Sequence, residues 1–199
     1  MAGLPTGSNI GIIGGGQLGR MLAMAAARLG YRTIILEPQE NCPAAQVANR
    51  QIVAAYDDTQ ALAELARECA VITYEFENVP VAAAVQVSAS SQVFPSARAL
   101  EVSQDRLTEK IFLNSVGLKT AAYRPVDSDA DLESGLAAFG GNGVLKTRRL
   151  GYDGKGQIMF RQSAKPPVQG AYASLGSVPL ILESLADFER EISVIAARA

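Results

Sequence analysis

Lys146, Arg148, Arg149 and Lys155 stand around three glycines, Gly151, Gly154 and Gly156, in the stretch VLKTRRLGYDGKGQ at 144–157. Glycines let the backbone turn tightly and bring N–H groups toward an anion, and the four cations supply countercharge, so this spacing suits phosphate. An ordinary hairpin with a cationic rim satisfies the same residues, because Asp153-Gly154 is also a strong hairpin-turn signal. A second cluster, Gly14-Gly15-Gly16-Gln17-Leu18-Gly19, has GxGxxG spacing between a predicted strand and helix. Glu37 follows at the end of the next predicted strand, where a dinucleotide-binding fold holds ribose. Glycine N–H groups at a helix N-terminus suit any phosphate, so a dinucleotide, another phosphorylated ligand and a purely structural turn all remain open. A third stretch, TYEFENVP at 73–80, lies at the carboxyl end of a predicted parallel strand, the edge where open α/β sheets bind ligands. Its Glu75, Glu77 and Asn78 offer two carboxylates and an amide to sugar hydroxyls or an amine, or else only solvate a loop.

Composition narrows the chemistry. The 199 residues contain no histidine, which removes Ser/His and Cys/His triads, histidine metal sites and histidine acid–base catalysis. What remains is carboxylates, lysines, arginines and bound ions. The 18 basic and 20 acidic side chains give a net charge of −2, which suggests neither a general nucleic-acid surface nor a polybasic anchor. Tryptophan is absent and aromatics are 6%, against a base-stacking platform. Cys42 and Cys69 lack zinc or disulfide-framework spacing, and no leader pattern or membrane span is read, so a cytoplasmic setting is expected.

The elements that must position these residues alternate. Strands are predicted at 10–14, 33–36, 51–54, 71–74 and 93–94, and helices at 17–29, 59–68 and 80–88, with Asp57 or Asp58 capping the second helix. That βαβ order predicts a parallel sheet covered by helices. The texture changes over 96–116, which reads as a charged helix in two pieces containing the domain boundary. Beyond it come a strand at 120–126, a helix at 132–139, strands at 143–148 and 157–161, a loop at 163–176 with at most a short helix, and strands at 180–183 and 191–198.

Four motifs in order, GGGQLGR at 14–20, YEFENVP at 74–80, DRLTEK at 105–110 and KTRRLGYDGKGQ at 146–157, resemble the ATP-grasp family of 5-(carboxyamino)imidazole ribonucleotide synthases. The resemblance runs from about residue 10 to the last. Residues 1–9 are small and polar and are expected to be disordered; the resemblance implies an α/β fold, with a Rossmann-like pre-ATP-grasp domain with a parallel sheet at 10–104 and the N-terminal part of an α+β ATP-grasp domain, truncated, at 105–199. It implies MgATP and bicarbonate used to carboxylate 5-aminoimidazole ribonucleotide through carboxyphosphate, giving ADP and phosphate in de novo purine synthesis, in a homodimer. Carried over residue by residue, ATP contacts fall on Arg106, Lys146, Gly151, Tyr152, Asp153, Gly154, Lys155, Gly156, Gln157, Glu183, Ser184, Leu185, Ala186 and Glu191. Asp153 and Lys155 are the expected catalytic pair. Gly16, Gln17, Leu18, Glu75, Glu77 and Tyr152 are the expected substrate contacts. No metal ligand is assigned; those for magnesium are expected beyond residue 199, where the family continues, so these residues are expected to form half a clamp that does not turn over alone. An NAD-dependent Rossmann oxidoreductase and a non-catalytic nucleotide-binding module are the competing readings.

Overall fold

The computed structural model describes residues 3–151, 155–163 and 166–196. The chain divides into two compact units, Met1–Glu101 and Val102–Ala199. The division falls inside a helix, a few residues ahead of the boundary read at 104/105.

The first unit is a five-stranded sheet in the order β3-β2-β1-β4-β5, built from β1 (Asn9–Ile13), β2 (Arg32–Leu36), β3 (Arg50–Ile52), β4 (Val71–Tyr74) and β5 (Gln92–Val93). All its pairings are parallel. Because side chains alternate across a strand, neighbouring isoleucines serve opposite faces. Ile13, Ile34 and Leu36 join Leu62, Leu65 and Val87 of α2 (Thr59–Glu68) and α3 (Val81–Ser88) in one core. Ile12 and Ile35 pack instead with Ala23 of α1 (Gln17–Arg28), Cys42 and Ala44. The Asp58 carboxylate caps α2, accepting from the N–H groups of Gln60 and Ala61 at 2.9 and 3.0 Å. Both cysteines are free and buried, and burial pushes the Cys69 thiol up to about 12, so it packs as a small apolar group. Of the small polar start, expected to be disordered over 1–9, residues 3–9 are described, and Leu4 and Gly7 are hydrogen-bonded to the segment after α1. The Gly7 N–H donates to Gly30 O at 2.8 Å and the Tyr31 hydroxyl to Leu4 O at 3.1 Å, so the turn between α1 and β2 supplies the hydrogen bonds that order it.

Two short helices, α4 (Ala97–Ser103) and α5 (Arg106–Ser115), precede the second sheet. Its strands β6 (Tyr123–Val126), β7 (Gly143–Thr147), β8 (Gln157–Phe160) and β9 (Leu180–Glu183) run in the order β6-β9-β7-β8, antiparallel throughout. Leu145, Phe160, Leu180 and Leu182 pack with Leu132 and Leu136 of α6 (Asp129–Ala138). The loop after β8 contains one short helix, α7 (Ala171–Ser174), tied to the start of α6 because the Asp129 carboxylate accepts the N–H groups of Gly170 and Tyr172 at 2.6 and 2.9 Å. Pro125 sits on edge strand β6, where a missing N–H costs no central ladder bond. Of the strand expected at 191–198, residues 191–196 are irregular and exposed, and 197–199 lie outside the described residues. Alternating Ile192, Val194 and Ala196 carry the strand pattern, but among the described residues no neighbouring strand pairs with them.

Candidate functional site

The β7–β9 register places the residues of the second unit. Val144 pairs with Glu183 and Lys146 with Ile181, so Val144, Lys146 and Glu183 share the face opposite the Leu145–Leu182 core, and Met159 joins them through its pairing with Val144. The Glu183 carboxylate, 13% exposed, takes Lys146 Nζ at 3.2 Å and Lys110 Nζ at 3.4 Å on the same oxygen. Lys110, from α5, also lies 5.9 Å from the Tyr123 ring centroid, within cation–π range. One carboxylate between two ammonium groups leaves a net positive charge on these three side chains. Beside it opens a cavity of about 560 Å³, with Val144, Met159 and Phe188 as apolar walls and Lys146, Arg161 and residues 183–187 completing the rim. Such a mixture, apolar walls with a few aimed polar groups, is what a flat base carrying an anionic tail requires.

Arg106, expected to contact ATP, spends two of its donors on the backbone. Its Nε donates to Thr147 O at 3.2 Å and its Nη2 to Gly151 O at 2.8 Å, so the guanidinium holds the backbone at the end of β7. Asp105 caps α5 through the N–H groups of Leu107 and Thr108 while Arg148 Nε donates to both its oxygens at 3.0 Å. The expected residues Tyr152, Asp153 and Gly154 lie outside the described residues, and the catalytic reading of Asp153 with them. Gly156 O accepts the Thr147 N–H at 2.9 Å, and Lys155 and Gln157 are exposed. Glu191, assigned to the nucleotide, stands exposed and does not line the cavity. Among the described residues no group of three or more Cys, Asp or Glu is arranged to hold a metal ion. The donors among the described residues do not by themselves fit magnesium.

In the first unit the strand order reverses at β1 and β4, and the loops after them meet at their carboxyl ends. Ile13 pairs with Tyr74, which puts Gly14–Gly16 beside Glu75. The Gly16 N–H donates to Glu75 Oε1 at 2.7 Å, the Gly19 N–H donates to Glu75 Oε2, and the Gly15 N–H donates to Glu37 Oε2 at 2.9 Å. The Tyr56 hydroxyl also donates to Glu37. Burial first, then the hydrogen bond and charge of Glu37, push that hydroxyl above its ordinary pKa, so it stays a donor. Gln17 and Leu18 are exposed beside this loop, and Glu77 is exposed with the Asn78 amide 3.4 Å away.

Residues 8–104 match the ribonucleotide synthetase preATP-grasp domain, and residues 111–199 match the ATP-grasp domain. A curated N5-carboxyaminoimidazole ribonucleotide synthase of Brucella melitensis biotype 1 is 63% identical over 195 residues, covering 98% of this chain and 54% of that protein. Over nearly its whole length the chain is similar to N5-carboxyaminoimidazole ribonucleotide synthases, with one half matching each of the two domains. Among solved structures, an ADP complex of the purK enzyme N5-carboxyaminoimidazole ribonucleotide synthetase superposes with a TM-score of 0.86 at 41% identity, over 94% of this chain and 49% of that one. The Aspergillus clavatus N5-carboxyaminoimidazole synthase, in complex with ADP and 5-aminoimidazole ribonucleotide, superposes with a TM-score of 0.78 at 26% identity, over 92% and 48%. This chain thus spans about half the length of the relatives it matches.

The structure gathers Lys146, Glu183, Ser184, Leu185 and Ala186 around one cavity. Sequence reasoning did not single out Lys110, Arg161, Asp187 or Phe188. For Lys110 a signal existed: it lies four residues after Arg106, on the same face of α5.

Proposed function

We propose that this chain supplies the ATP-binding face and the glycine-loop side of an N5-carboxyaminoimidazole ribonucleotide synthase, whose complete protein carboxylates 5-aminoimidazole ribonucleotide with ATP and bicarbonate. The observation that carries this is the cavity of about 560 Å³ where Lys146 and Glu183 meet the 184–186 backbone against Val144, Met159 and Phe188. Adenine fits between the apolar walls and the backbone of residues 184–186, with Lys146 toward the phosphates. Phosphoryl transfer from ATP to bicarbonate needs positioning and charge neutralisation rather than a protein nucleophile, which suits a chain without histidine. The resulting carboxyphosphate is open to hydrolysis, so the glycine-bearing sequence at 151–157 is assigned to exclude water and Lys155 to the anionic intermediate. Magnesium enters with ATP, and the complete protein is assigned as a cytoplasmic homodimer.

Calorimetric titration of this chain with MgATP tests the nucleotide reading. Saturable binding is expected, and Lys146→Ala should weaken it roughly 10–100-fold, the worth of a charge-assisted hydrogen bond of about 1.5–3 kcal/mol. Equal affinity in the variant would remove Lys146 from the site.

A further inference from the structure

Lys110 meets the cavity of the second unit only through Glu183. Tyr123 and Val144 are the cross-strand partners of Glu183, so the three side chains share one face of the sheet, and Lys110 reaches that face from α5. Its ammonium lies 3.4 Å from Glu183 Oε2 and 5.9 Å from the Tyr123 ring centroid. The Asn114 amide, one turn further along α5, donates to the Tyr123 hydroxyl at 3.4 Å and ties the same helix to the same ring. Lys110 is only 14% exposed and is not among the residues that line the cavity. Lys146 does line it, and donates to the same Glu183 Oε2 at 3.2 Å. One carboxylate oxygen is thus shared by two ammonium groups, one at the cavity and one away from it.

Given the nucleotide placement proposed above, on which this rests, we infer that Lys110 is a positioning residue for Lys146: it neutralises Glu183 from outside the cavity, so that the carboxylate orients the Lys146 ammonium without cancelling its charge toward phosphate. With Lys110 in place the carboxylate divides its attraction between two partners, and the three side chains keep a net positive charge. Without it, Glu183 and Lys146 form a closed neutral pair, and a phosphate must compete with a partly buried carboxylate for the ammonium that remains. The low exposure of Glu183 keeps water and salt from screening these charges as they screen a surface pair. Lys110 therefore acts on an anionic ligand without touching it.

A double-mutant cycle of Lys110→Met and Glu183→Gln, read by calorimetric titration of the 199-residue chain with MgATP, tests this. Lys110→Met should weaken MgATP roughly 5–20-fold, the order expected for one partly buried charge. Adenosine, which has no phosphate, is read by displacement of MgATP and should keep its affinity in the same variant. In the Glu183→Gln background the Lys110→Met substitution should cost less than about 2-fold, because the carboxylate it shields has lost its charge. Lys110→Arg restores the cation and should recover most of the MgATP affinity. Unchanged MgATP affinity in Lys110→Met overturns the inference while leaving the nucleotide at Lys146. An equal loss for adenosine overturns it as well, since the cavity rather than the ammonium would have changed, and so does an undiminished cost in the Glu183→Gln background. A wild-type chain that binds no MgATP removes the proposed nucleotide site and this role of Lys110 together. Should Lys110→Met not fold, Lys110→Gln is carried through the same titrations and judged by the same outcomes.

Discussion

Asp105 joins two structural tasks in one side chain, capping α5 and holding Arg148 beside the end of β7. Burial works to raise its pKa, but the hydrogen bond and charge of Arg148, with the Thr108 and Leu107 N–H groups, outweigh it and hold the carboxyl below its ordinary 3.8. A carboxyl depressed in the folded state contributes stability that is complete above the unfolded value and is lost as pH falls through the folded one. Asparagine can still cap the helix but carries no charge, so Asp105→Asn should cost about 1–2 kcal/mol at neutral pH, while Asp105→Ala should cost about 1 kcal/mol more through the lost cap. Urea midpoints of wild type and Asp105→Asn should differ steadily down to about pH 4 and converge below it, where the wild-type charge titrates away. A gap that persists unchanged in acid would show that shape, not charge, sets the cost. None of this pairing was legible in the sequence. DRLTEK displays a capping aspartate, but the partner that perturbs it is 43 residues away and is fixed by the fold. Glu75 was legible as a residue at the ligand edge of the sheet, whereas its capture of the Gly16 N–H depends on the pairing of Ile13 with Tyr74.

Elements with strong local signals follow the sequence closely: α2 occupies Thr59–Glu68 and β4 occupies Val71–Tyr74, because a cap, a 3.6-residue apolar period and a β-branched run each act within the element. Strand pairing obeys non-local rules. The 191–198 pattern has strand periodicity, yet a strand forms only where a neighbour accepts its ladder, and β9 is already flanked by β6 and β7. The β7–β8 connection shows what a glycine pattern encodes once the element is in place. A Cβ at Gly151 would lie 2.8 Å from Thr147 Oγ1, and one at Gly156 would lie 2.9 Å from the same atom, so one threonine accounts for both glycines sterically. They differ in backbone, since Gly156 has φ +71° and Gly151 does not have a positive φ. Either alanine substitution should destabilise the second unit. Adding Thr147→Ala should restore most of the loss in Gly151→Ala, while Gly156→Ala should retain about 1–2 kcal/mol from the left-handed backbone. Thermal unfolding of the four variants checks this, and equal rescue of both glycines would mean that backbone conformation plays no part.

Two units with separate cores give the molecule separate places for separate chemistry. The β7–β9 face carries cations and a cavity of about 560 Å³, whereas the β1–β4 edge carries carboxylates and a cavity of about 170 Å³. The proposed placement of the anionic nucleotide in the second unit follows these cations, although the better-known glycine motif lies in the first. A ligand that binds only the folded state stabilises whatever it touches by RT ln(1 + [L]/Kd), about 2.7 kcal/mol at a hundredfold excess over Kd. Hydrogen exchange read by mass spectrometry with saturating MgATP should accordingly slow peptides covering β7, β9 and residues 184–186, with exchange at β1 and the glycine loop unchanged. Glu183→Gln should shrink that protection, because the carboxylate that positions Lys146 and Lys110 loses its charge while keeping its place in β9. Protection concentrated on residues 14–19 instead would put the nucleotide on the glycine loop and overturn the assignment of both cavities at once.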